Sequence, residues 1–212
     1  MAQQLEEDPR MHCVVRLKSN NEPKTFVGSG VLYSVVDIGD RIYLFTAAHC
    51  LFSDGDHFAN MRESIIVDIF SPTENCYKEI LVEDVSAKSV MRTKETNDIA
   101  IIVLNKTEVL AINNQLPNVN IVCSNEDVRE IVVMGFPKAN NGIKVLPSNA
   151  LWNNRIIDTN QFYLESISDI DHYNMEGYSG GGLFLKNDNE IQLIGIFVRF
   201  LKDSILSSVI IK

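Results

Sequence analysis

Long apolar runs are missing from this sequence. No stretch approaches the roughly 18 apolar residues that cross a bilayer. The first ten residues, MAQQLEEDPR, are polar and acidic and hold no apolar core of an export signal. Basic residues are outnumbered, 19 Lys and Arg against 28 Asp and Glu, and the net charge is −9. Phosphate backbones are held by clustered Lys and Arg, so a nucleic-acid partner is not expected, and neither is a membrane. Cysteine is scarce as well. Cys13, Cys50, Cys76 and Cys123 contain no CxxC pair, so a zinc site is not expected, nor any other metal or cofactor. Without an export signal the thiols are expected to be reduced, in a cytoplasmic protein. No fixed-period repeat and no low-complexity segment occurs.

What is present is a 45% hydrophobic composition arranged in short runs. Residues 12–17, 31–36, 41–46, 64–70 and 98–104 are rich in β-branched and aromatic residues. So are 120–123, 130–135, 160–164, 191–199 and 205–211. Each is bounded by Gly, Asn, Asp, Ser or Pro, which predicts strands of an all-β protein. Short helical turns are expected only at His49–Phe58 and around Met91–Thr96. The Asn-rich stretch Lys106–Val119 divides the strands into two groups of about six. The expected layout is therefore a loose tail over residues 1–10, one unit over 11–112 and a second over 113–212.

Three short segments hold groups suited to nucleophilic chemistry. Gly177-Tyr178-Ser179-Gly180-Gly181-Gly182 frames a serine with glycines. Read structurally it is a flexible turn. Read chemically, glycine opens backbone angles that let the N–H groups of Gly177 and Ser179 face one developing oxyanion. A serine hydroxyl also needs a neighbouring base. Of His12, His49, His57 and His172, the first lies in a strand-like run and the third in the polar DGDHF loop. His172 stands seven residues before the serine, where it could line a cleft. His49 follows a strand in Thr46-Ala47-Ala48-His49-Cys50, where small alanines allow close packing. Asp98 opens the apolar run Asp98-Ile99-Ala100-Ile101-Ile102, and a carboxylate entering such a strand needs a partner. Singly, each admits a plain reading as a turn, surface or core residue.

Together, TAAHC, NDIAII and GYSGG, in the chain order His, Asp, Ser, closely resemble the chymotrypsin/trypsin-like serine peptidases. The resemblance runs from about Met11 to Lys212. It implies two six-stranded antiparallel β-barrels with the active site between them. It also implies His49 as general base, Asp98 as its orienter, Ser179 as nucleophile, and Gly177 and Ser179 as backbone donors to the oxyanion. Gly28-Ser29-Gly30 resembles the family's strand before the histidine, and Met134-Gly135-Phe136-Pro137 resembles a turn of bacterial members. Leu193-Ile194-Gly195-Ile196 resembles the strand after the serine. Its continuation, Val198, Arg199 and Phe200, is then expected to pair with an extended substrate. The implied partner is a protein or peptide substrate, with control by a regulatory partner or an appended domain.

The chain also departs from that pattern. Tyr178 stands where secreted animal members carry the Asp that pairs with a freed N-terminus. Cys50 matches a family cysteine whose usual partner in Gly28–Gly30 is absent, which points to a disulfide-poor bacterial or viral branch. The family's C-terminal helix is missing, so a domain of a longer protein or a trimmed form is expected. The specificity-pocket floor falls on Tyr173, with Asp169, Asp171 and Glu176 near enough to compete for that place. Two other functions remain open. One is a catalytically weak peptide-binding module of the same fold. The other, an α/β hydrolase, is disfavoured by the chain order of its triad and by the scarcity of helices.

Overall fold

The computed structural model describes residues 8–34, 39–91, 98–122, 130–138, 142, 146–158, 161–166, 176–186, 190–201 and 205–210. The first half forms β1 (Val14–Ser19), β2 (Phe26–Tyr33), β3 (Arg41–Thr46), β4 (Ser64–Ser71), β5 (Cys76–Glu83), β6 (Ser89–Met91) and β7 (Ala100–Asn105). Their order in one antiparallel sheet is β5-β4-β1-β2-β3-β7-β6. Leu17, Leu32, Leu44, Val67, Val82 and Ile102 share one buried cluster. Strands far apart in that order can share a core only when the sheet curls on itself, as the right-handed twist of strands favours.

The second half forms β8 (Val119–Ile121), β9 (Glu130–Gly135), β10 (Leu146–Asp158), β11 (Gln161–Ser166), β12 (Gly182–Leu185), β13 (Ile191–Leu201) and β14 (Ile205–Ile210). The order β12-β9-β10-β11-β14-β13 is closed by a β12–β13 pairing, which makes a ring of six. β8 adds a seventh strand, parallel to β13. The protein is thus all-β, with two barrels. Closure of the second ring removes exposed sheet edges of the kind that invite aggregation, whereas the first sheet keeps β5 and β6 as its edge strands.

Successive side chains of a strand face opposite ways, and several strands of the first barrel are buried on both faces. Val15, Leu32 and Leu44 enter the first core. Their neighbours Val14, Val31 and Phe45 join a second cluster with Val132, Met134, Phe136, Phe184, Leu193, Ile196 and Val198 of the other barrel. The consecutive apolar residues in those strands are therefore used twice, once in a barrel and once between barrels.

Some elements differ from the sequence reading. α2 (Lys106–Ile112), a helix not expected there, follows β7 directly; α1 is the single turn Val85–Lys88. The Asn105 side chain caps α2 by accepting from Thr107 N at 2.8 Å and Glu108 N at 3.3 Å, and Val109 is buried. Near Met91 the chain is strand rather than helical turn as far as it is described, because Ser89–Met91 pairs with β7. β5 was hidden by its Lys and Glu residues, which an edge strand carries on exposed positions. The end of the expected loose tail is folded: Pro9–Cys13 is a 3-10 helix, capped by Asp8 and linked through Arg10 Nη1 to Leu185 O at 3.4 Å. Between His49 and Phe58 lie 3-10 turns at Ala48–Leu51 and Gly55–His57.

Candidate active site

β3 and β7 pair antiparallel, with Thr46 opposite Ala100. Continuing that register past the end of β3 brings Ala48 level with Asp98, so residues far apart in sequence meet. Ala48 N donates to Asp98 O at 3.2 Å. The carboxylate takes two further bonds, from His49 N to Oδ1 at 2.9 Å and from the ring Nδ1 to Oδ2 at 2.7 Å. Asp98 is 2% exposed, and Ala47 and Ala48 are fully buried. The small side chains of Ala47 and Ala48 suit the close approach of this turn to β7. A carboxylate accepts and does not donate, so Nδ1 carries the proton and the neutral ring keeps Nε2 as its basic nitrogen.

Burial works against charge on His49, while the Cys50 sulfur and the Asp98 carboxylate favour it. The net effect raises the imidazole above its ordinary value. Cys50 is free and buried, and its sulfur reaches Ser179 O at 3.6 Å.

Ser179 lies in the turn before β12. Gly177 has φ +97° and Gly180 has φ +86°, a region that residues with a Cβ rarely adopt. A Cβ on Gly180 would overlap the Ser29 carbonyl and Thr46 Oγ1 of the other barrel, and one on Gly177 would overlap Phe136 O. The turn is tied to β13 by Gly180 N to Phe197 O and Phe197 N to Gly181 O, both 2.8 Å. It is tied to β2 by Ser29 N to Ser179 O at 2.7 Å. The Ser179 hydroxyl donates to Val198 O at 3.1 Å.

The peptide planes around Ser179 are held by their carbonyls. Glu176 O accepts from Lys138 N, and Tyr178 O accepts from Gly181 N, each at 2.6 Å. In a trans peptide the N–H points opposite to the C=O. The Gly177 and Ser179 N–H groups therefore point away from these partners. Tyr178 is 3% exposed and packs edge-on against Phe197, with ring centroids 6.5 Å apart. Burial pushes its phenol pKa up.

The structure thus joins His49 to Asp98 and brings Cys50, the residue after His49, against Ser179. Val198 is buried in β13 beside the Ser179 hydroxyl. Arg199 and Phe200 continue that strand opposite Ser207 and Leu206 of β14, and the described β12–β13 pairing ends at Ile196. Tyr173 lies outside the described residues, as do Asp169, Asp171 and His172. Of the remaining histidines, His12 packs edge-on against Phe70 and burial lowers its pKa, while His57 is exposed. Two neighbours of the site were not singled out for it from sequence. One is the Ser29 hydroxyl, which lies between Gly177 O and Phe136 N; the other is Thr46, whose hydroxyl donates to Ser29 O at 2.7 Å. The Gly-Ser-Gly pattern was visible, but not what its side chain touches.

A family model described as Trypsin matches residues 12–202. No curated protein matches the chain in sequence. Among solved structures, the fold is similar to that of the thermostable serine protease AL20 from an extremophilic microorganism. That likeness has a TM-score of 0.67 at 14% identity, over 96% of this chain and 93% of the other. It is similar too to the protease Anisep from Arthrobacter nicotinovorans, with a TM-score of 0.66 at 12% identity, over 96% and 91%.

Proposed function

Because the chain belongs to the trypsin family, we propose that it is a serine endopeptidase that cleaves a protein substrate through an acyl-enzyme. The observation that carries the proposal is the Asp98 carboxylate, which binds both the ring and the backbone of His49 at the barrel junction where Ser179 sits. His49 Nε2 takes the Ser179 proton as Oγ attacks the scissile carbonyl, and Asp98 stabilises the imidazolium that forms. The Gly177 and Ser179 N–H groups receive the oxyanion. His49 then gives its proton to the departing amine. Water repeats the sequence on the ester and returns Ser179 to its free form.

The Ser179 hydroxyl donates to Val198 O, and this bond has to open before attack. An extended substrate lying along Val198, Arg199 and Phe200 adds a strand to β13. Its backbone N–H competes for the Val198 carbonyl and frees the hydroxyl to turn toward His49. Tyr173 is our candidate for the pocket floor, where a phenol gives no charge to select Lys or Arg. No helix among the described residues is long and apolar enough to cross a membrane. The free thiols at Cys13, Cys50 and Cys76 fit a reducing compartment such as the cytoplasm, and a partner protein or appended domain is a suitable source of control.

A fluorophosphonate probe tests the proposal, since it reacts only with an activated serine. Labelling of the intact protein that is lost in Ser179→Ala, together with cleavage of a peptide library, is expected. A folded protein that neither labels nor cleaves would instead be the peptide-binding module.

A further inference from the structure

We propose that the Ser29 hydroxyl is the positioning group of the oxyanion pocket, bridging Phe136 N and Gly177 O and so fixing the peptide that joins the two oxyanion donors. The inference rests on the acyl-transfer reading and adds to it a residue with no part in the His-Asp-Ser chemistry.

Ser29 lies in β2, in the first barrel, and is fully buried. All its polar groups are committed to the junction. Its N–H binds Ser179 O at 2.7 Å, and its carbonyl accepts from Thr46 Oγ1 at 2.7 Å. Its hydroxyl donates to Gly177 O at 2.8 Å and accepts from Phe136 N at 2.9 Å. The direction of this chain is forced, because an amide N–H only donates and a carbonyl only accepts. One buried hydroxyl with one proton position therefore links the strand before the histidine, the turn after β9 and the glycine loop.

The consequence concerns the two donors. Gly177 N is oriented through Glu176 O, and Ser179 N through Tyr178 O, each by its own partner. Between them lies the Gly177–Tyr178 peptide, which sets how the two N–H vectors converge. Its carbonyl is the one Ser29 holds. With φ at +97°, Gly177 has no Cβ to restrict rotation, and the side-chain bond from the other barrel supplies that restriction. Without the hydroxyl, Gly177 O and Phe136 N lose their shared partner in a buried place, and a small rotation that repairs either also turns the pocket. Removing one oxyanion donor costs on the order of 10²–10³ in rate, and misplacement by about 1 Å costs about 10².

The test compares the intact protein with Ser29→Ala on a fluorogenic peptide. Active sites are counted by fluorophosphonate titration, so that kcat refers to competent molecules only. A fall in kcat of about tenfold to hundredfold is expected, with KM within about threefold. Affinity for a peptide aldehyde, whose hemiacetal oxygen enters the pocket, should fall by the same factor. Affinity for the matching peptide alcohol, which forms no such oxygen, should hold. The pH at half-maximal rate should also hold, because the bonds from Asp98 to His49 are untouched.

A kcat per titrated site within twofold of the parent overturns the role, even where the variant is less stable. So does equal weakening of aldehyde and alcohol. If Ser29→Ala does not fold, Ser29→Cys carries the same comparison, since a thiol is a weak donor. Parent-like kcat in that variant overturns the proposal. A parent protein that neither labels nor cleaves overturns the acyl-transfer reading and this one with it. An active parent with an unaffected variant removes Ser29 alone.

Discussion

Replacing Asp98 by Asn isolates what the buried carboxylate does. Two donors converge on it, His49 N to Oδ1 at 2.9 Å and His49 Nδ1 to Oδ2 at 2.7 Å. An amide of the same shape offers one oxygen and one NH2 group. If the oxygen keeps the backbone N–H, the NH2 faces Nδ1 and accepts only the tautomer with its proton on Nε2. That tautomer leaves no lone pair on Nε2, so under the proposed mechanism base catalysis fails. If the amide is flipped, the ring is served but a buried backbone N–H meets NH2. The change is expected to leave the fold in place and lower kcat by about 10⁴, the size found when a triad Asp becomes Asn. At about 1.36 kcal/mol per decade this is about 5.4 kcal/mol of transition-state stabilisation. The assay is kcat against pH, with active sites counted by titration.

The same substitution has a pH signature. Burial opposes the His49 charge, but Cys50 and Asp98 outweigh it and the pKa is raised. The general base must be neutral, so the parent's activity is expected to rise with pH above the ordinary imidazole value of about 6.5. Removing the carboxylate moves that limb to lower pH. Stability follows the linkage sign. A folded-state pKa raised above the unfolded one adds stability that is fully present below about pH 6.5 and fades as pH rises through the folded value. The gap in melting temperature between parent and Asp98→Asn should therefore be widest in acid. A kcat within tenfold of the parent at pH 8, or a limb that does not move, refutes the reasoning.

Other outcomes follow from the same geometry. Ser179→Ala abolishes cleavage, and His49→Ala combined with it is no more than about threefold worse, since triad members act as a unit; additive losses in single-turnover rates would contradict this. Gly180→Ala puts a Cβ into Ser29 O and Thr46 Oγ1 at φ +86°, which should cost at least about 2 kcal/mol and roughly 4–8 °C in Tm; a melting temperature within 1 °C of the parent would show the contact is soft. Acetylating the α-amino group should leave turnover unchanged, because buried Tyr178 offers no carboxylate to an amino terminus; silencing by acetylation would argue for an N-terminal ion pair. A cleavage profile over a peptide library should show no strong preference for Lys or Arg before the cut bond; dominance of basic residues would move the pocket floor from Tyr173 to Asp169, Asp171 or Glu176.

The sequence alone determined the class of the fold and pointed to three segments, those around His49, Asp98 and Ser179, as the candidate site. Runs such as Arg41–Thr46 and Glu130–Gly135 became strands with those bounds, because β-branched and aromatic side chains between turn residues decide structure locally. TAAHC, NDIAII and GYSGG stood out because each of the roles proposed for them restricts several neighbouring residues at once. β5 was not legible, since its strand character comes from pairing along the whole length of β4 and its Lys and Glu residues face solvent. β12 escaped because it opens on glycine and is short. The helix Lys106–Ile112 depends on the Asn105 cap, which reads in sequence as ordinary turn chemistry. Only tertiary structure could decide that Ala48 and His49 lie against Asp98, a consequence of β3–β7 register. Only it could decide that a hydroxyl at Ser29 holds a carbonyl at Gly177, 148 residues away. Those contacts arise where two separately patterned barrels meet. The free energy that selects them is burial of Val31, Phe45, Phe136 and Phe184 in one shared cluster, and no local stretch of sequence records which faces will be brought together.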